Sequence, residues 1–132
     1  MLASFADTVR LSLHVLGATI WVGGQITLAA LVPVLRRTPE AAQAAARAFN
    51  RIAWPAFAVL VLTGFWNVAV QPSDTTSSYR AVLGLKMAVV VLSGVSAYVH
   101  TKVSGRTQIA VWGAISGLTA ITAVVLGVLL AG

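Results

Sequence analysis

Two ionisable side chains, His14 and Lys86, stand inside long apolar stretches of the chain. Placing such a group in hydrocarbon costs at least about 2.5 kcal/mol on insertion scales, so each marks a position where some function offsets the cost. An imidazole can ligate a metal or carry a proton near neutral pH. It can also simply bond to a neighbouring helix. An ammonium can act on a bound group, or it can snorkel to the headgroups along its four-carbon stem. On a helix, His14 shares a face with Gly17, Trp21 and Gly24, at spacings of three, seven and ten, and Lys86 shares one with Ser93 and His100 at spacings of seven. Met87 adds a thioether beside Lys86, suited to a soft metal or to packing. No residue is marked as catalytic.

The elements that must hold these groups are membrane helices. The chain has 132 residues, room for one domain, and is 58% hydrophobic but only 9% charged. A soluble domain carries about 25% charged residues, so this composition cannot coat a compact body with polar groups. Crossing about 30 Å of hydrocarbon takes about 20 apolar residues. Four stretches are long enough, over about 9–35, 53–70, 81–99 and 109–130. The fold expected is all-α: one integral membrane domain over 1–132, a four-helix bundle in the lipid bilayer. The first stretch lacks a basic leader and a cleavage-like stop, which argues against a signal peptide. The absence of cysteine excludes a disulfide-stapled fold and a thiolate zinc site.

Between the first two stretches, Thr38, Pro39 and Glu40 read as a helix cap, a first-turn proline and an acid at the positive helix end. A short cytoplasmic helix is expected over about 39–50, with Pro55 in the first turn of the next crossing or at a kink. Residues 71–78 form a polar loop on the opposite side.

The formal charge of +6 does not indicate nucleic acid, because the basic residues cluster in the gaps between apolar stretches. Arg36, Arg37, Arg47, Arg51, Lys102 and Arg106 fall on one side, against Arg10, Arg80 and Lys86 on the other. The positive-inside rule then places both termini outside the cytoplasm of a multi-pass protein of the cell (inner) membrane. Gly113 and Gly117, extended by Ala120, form a small-residue step for helix packing within the chain, in a homo-oligomer or in a larger membrane complex. Trp54, Trp66 and Trp112, near the ends of stretches, are expected in the interfacial belt.

Depth decides which polar groups can cooperate. Crossings one and three run in the same direction, which puts His14 and Lys86 in the outer leaflet, and the reversed crossing two brings Thr63, Trp66 and Asn67 to the same level. His100 lies fourteen residues beyond Lys86, about 21 Å away. The candidate constellation is therefore His14, Lys86, Met87, Trp66 and Asn67.

Ordered segments of the chain resemble the copper-resistance D (CopD-type) membrane family. They are Leu13-His14-Val15-Leu16-Gly17-Ala18-Thr19-Ile20-Trp21-Val22-Gly23-Gly24 with Leu31-Val32-Pro33-Val34-Leu35-Arg36-Arg37, then Phe49-Asn50-Arg51-Ile52-Ala53 with Val61-Leu62-Thr63-Gly64, and Leu83-Gly84-Leu85-Lys86-Met87. The histidine in helix one and lysine in helix three are also similar to HemJ-type protoporphyrinogen oxidases, small four-helix proteins associated with haem. The resemblance implies copper handling or haem binding, with His14 as the haem ligand and Lys86 as its functional partner in the second case.

Copper(I) favours sulfur and imidazole, and this chain offers it no cysteine, only the thioethers of Met1 and Met87 and the imidazole of His14. Haem b asks for less: one axial imidazole and a helix face such as Gly17, Trp21 and Gly24 to seat the macrocycle. An oxidase would need haem or an external acceptor, since no dinucleotide or flavin motif is present. A third reading is a non-catalytic scaffold or assembly subunit.

Overall fold

A computed structural model describes residues 2–132, and among them there is helix but no strand. Helix α1 (Phe5–Ala18) passes through a π-helical turn (Thr19–Gly23) into α2 (Gly24–Leu35); α3 (Pro39–Ala69), α4 (Ser77–Lys102) and α5 (Arg106–Ala131) follow. The α1–π–α2 rod, α3, α4 and α5 are each long and apolar enough to cross a membrane. Most helices begin one turn before their apolar stretch, where a cap is available. Ser4 Oγ accepts from Asp7 N–H and donates to the Asp7 carboxylate, and Thr76 Oγ1 accepts from Tyr79 N–H. Gly105, at φ 95°, makes the turn into α5.

Two expectations for α3 change. The short helix over 39–50 and the crossing from 53 are one helix of 31 residues, and Pro55 lies inside it, exposed. Proline removes one hydrogen bond there, but Ala53 and Ala56 on either side are buried, and this packing carries the helix through. Thr38 occupies the N-cap position without a side-chain cap bond, leaving Pro39 and Glu40 as the features that start the helix.

The chain divides into two compact units, Met1–Gln71 and Pro72–Gly132. In the first, α1–π–α2 runs antiparallel to α3 across the turn at 36–38; in the second, α4 runs antiparallel to α5 across 103–105. Short connections make consecutive helices antiparallel neighbours. The buried apolar residues are mostly small, Ala53, Ala56 and Ala120 with Trp21, while large ones such as Leu62 and Val128 are 68% exposed. Small residues between helices and large ones outside is the arrangement that lipid favours and water does not.

Candidate functional site

In the first unit the face read from helical spacing is the face that meets α3. Its contacts descend as a ladder. Arg10, buried, donates to Asn67 Oδ1 and pairs with the Asp7 carboxylate at 2.7 Å. One turn on, His14 Nδ1 lies 2.9 Å from Thr63 Oγ1. A Cβ at Gly17 would stand 3.0 Å from the Ala56 carbonyl oxygen and 3.2 Å from Leu60 N, so two backbones touch there. Trp21 packs on Phe57 and Trp54, with ring centroids at 4.4 and 5.4 Å, and Gly24 lies under the Phe49 ring.

The hydrogen bond at His14 defines the imidazole. Thr63 Oγ1 lies 2.7 Å from the Val59 carbonyl and 3.2 Å from the Leu60 carbonyl, and with its hydroxyl proton on that side the Nδ1···Oγ1 contact is made by the ring N–H. Neutral His14 is then the Nδ1–H tautomer, and its basic nitrogen is Nε2. A ligating histidine is typically oriented in this way, with one ring nitrogen donating to a fixed oxygen and the other supplying the lone pair. Gly64 leaves room beside the ring, since a Cβ there would stand 3.7 Å from His14 Cε1.

The structure therefore joins His14 to Thr63 and, one turn away, Arg10 to Asn67. Trp66 is 41% exposed and outside these bonds. Gly17, Trp21 and Gly24 seat α3, so that side of α1 is filled by the chain's own helix. Trp54, expected in the interfacial belt, packs in the aromatic cluster with Trp21 and Phe57. Arg10 was expected only as a topogenic charge, and its three- and four-residue spacings to Asp7 and His14 were the available sign of its part in the ladder.

Lys86 and Met87 belong to the second unit. The Lys86–Ser93–His100 stripe on α4 faces small residues of α5: Lys86 Nζ would stand 3.0 Å from a Cβ on Gly127, and the His100 ring 3.1 Å from one on Gly113. Between them Ser93 Oγ donates to Ser116 O at 2.9 Å, and Ser116 Oγ to Ser93 O at 3.0 Å. His100 Nδ1 donates to Ile109 O at 2.8 Å, closing the turn end of the hairpin. Gly113 and the buried Ala120 of the expected small-residue step thus pack within the hairpin, and Gly117 is half-buried beside them. Lys86 is half-buried and makes no hydrogen bond or ion pair among the described residues, and Met87 is 41% exposed.

Among the described residues no three His, Cys, Asp or Glu side chains converge as a metal cage. The first unit offers one oriented imidazole. No family model, curated protein or solved structure matches this chain.

Proposed function

We propose that this chain is a multi-pass membrane protein in which His14, through Nε2, would hold haem b. The observation that carries the reading is the 2.9 Å contact of His14 Nδ1 with Thr63 Oγ1, which also lies 2.7 Å from the Val59 carbonyl. The donor set suits haem better than copper, because one imidazole satisfies an axial position whereas a copper(I) site needs further soft ligands. The resemblance to CopD-type and HemJ-type proteins adds Lys86 as the partner group. Bound haem would supply one-electron redox chemistry. This chain's own residues hold the imidazole in one tautomer, and Gly17, Trp21 and Gly24 lock the helix that carries it against α3. The reading names no catalytic residue. Both termini lie outside the cytoplasm, as the six-to-three distribution of basic residues requires.

The test is absorption spectroscopy with metal analysis on the purified chain. A Soret band lost in His14→Ala is expected. Stoichiometric copper without colour would replace haem by copper handling, with ligands drawn from a second copy or a partner. A colourless, metal-free protein stable only beside another subunit would leave the scaffold reading.

A further inference from the structure

The two helices of the first hairpin disagree about where lipid should end. Helix α2 has no buried residue and exposes Ile26, Leu31 and Val34, so it belongs in hydrocarbon almost to the turn. Beside it, the first part of α3 carries Gln43, Arg47, Asn50 and Arg51. Gly24 at Phe49 sets the register and brings Arg51 near the start of α2. Arg51 is twelve residues from Pro39, about 18 Å along the helix from the turn. It makes no hydrogen bond or ion pair among the described residues, and neither does Arg47 one helical turn before it. A guanidinium at that depth needs an anion or a path to the headgroups.

A groove of about 360 Å³ opens next to Arg51, between α1 and α3. Its other walls are apolar, among them Leu13, Leu16, Ile52, Pro55 and Val59. Arg51 is the one charged residue in the lining. We infer that this groove is a binding site for an anionic phospholipid of the leaflet next to the 36–38 turn, with an acyl chain in the groove and the phosphate on Arg51, supported by Arg47. Charge complementarity selects the occupant. A planar guanidinium offers paired N–H donors to a phosphate, and the apolar walls exclude a soluble anion's hydration shell while accepting a hydrocarbon chain. The site lies within one hairpin and does not depend on whether His14 binds haem.

Native mass spectrometry of the full chain in detergent, with added phosphatidylglycerol or phosphatidylcholine of equal chain length, tests the assignment. The wild-type chain is expected to retain one phosphatidylglycerol in preference to phosphatidylcholine. Arg51→Gln should weaken that retention about tenfold, the loss of a charge-assisted hydrogen bond, while Arg51→Lys keeps an intermediate preference. Leu16→Trp, at an exposed position on the groove wall, should lower retention of both lipids. Inorganic phosphate should not displace the lipid. Equal retention of the two lipids, an undiminished preference in Arg51→Gln, unchanged retention in Leu16→Trp, or displacement by phosphate would each overturn the site. Arg51 is exposed and unpaired, so the Gln and Lys variants keep their fold, and unchanged elution and helix content would confirm it.

Discussion

A buried hydroxyl can orient a neighbour or stand idle, and this chain contains both kinds. Thr63 is 5% exposed and links His14 Nδ1 to the Val59 carbonyl; Ser96 is fully buried and its Oγ has no hydrogen-bond partner among the described residues. Replacing Thr63 by Val removes the acceptor but keeps the shape, leaving the ring N–H unsatisfied at a cost of about 1–3 kcal/mol. Outer partners of a ligating histidine typically account for 10–100-fold in affinity. Thr63→Val is therefore expected to weaken haem retention by about that factor and to lower the melting temperature. Ser96→Ala removes a hydroxyl that nothing satisfies, so it should be neutral or mildly stabilising with haem retention unchanged. Haem titration and thermal melts on both variants check the contrast, and equal losses in the two would make Thr63 an ordinary packing residue.

Helical period made the contact faces legible before any coordinates. His14, Gly17, Trp21 and Gly24 do face one neighbour, and Lys86, Ser93 and His100 another. What occupies each face was not legible, because periodicity fixes direction and says nothing of the residue across the gap. The face expected to seat a macrocycle holds α3 instead. The π-helical turn at Thr19–Gly23 also left no sign in the pattern. It coincides with Trp21, which packs on Trp54 and Phe57, and Gln25 Nε2 donates to the Trp21 carbonyl at 3.1 Å within the widened backbone. The two interface glycines allow a sharp comparison. At Gly17 the obstacles to a Cβ include α3 backbone atoms at 3.0 and 3.2 Å, whereas at Gly24 the obstacle, closer still, is the edge of the Phe49 ring. Backbone cannot move alone, but a phenyl ring can swing away. Gly17→Ala should therefore cost about 1–3 kcal/mol by forcing the helices apart, and Gly24→Ala less despite its shorter contact. Thermal unfolding in detergent measures both, and a larger loss at Gly24 would mean that Phe49 is held rigidly.

Membrane residence follows from an inversion of the usual pattern. Large apolar residues lie outside, while serines, threonines and small residues lie between helices, and the 9% charged content foretold this without specifying the contacts. Which way the chain threads the bilayer rests on charge alone. The turns at 36–38 and 103–105 lie beside Arg36, Arg37, Lys102 and Arg106, whereas the connection at 70–76 carries Asp74 and meets α4 before Arg80. Basic residues resist translocation, so the first two turns should remain cytoplasmic and the third should be outside. Because the chain has no cysteine, single reporters are unambiguous. In right-side-out membrane vesicles, Ser73→Cys should react with an impermeant maleimide, while Thr38→Cys and Ser104→Cys should react only after permeabilisation. The inverse pattern would reverse the orientation and move His14 to the cytoplasmic leaflet. Labelling of all three positions without permeabilisation would show that fewer than four helices cross, leaving the positive-inside argument without the alternating turns on which it depends.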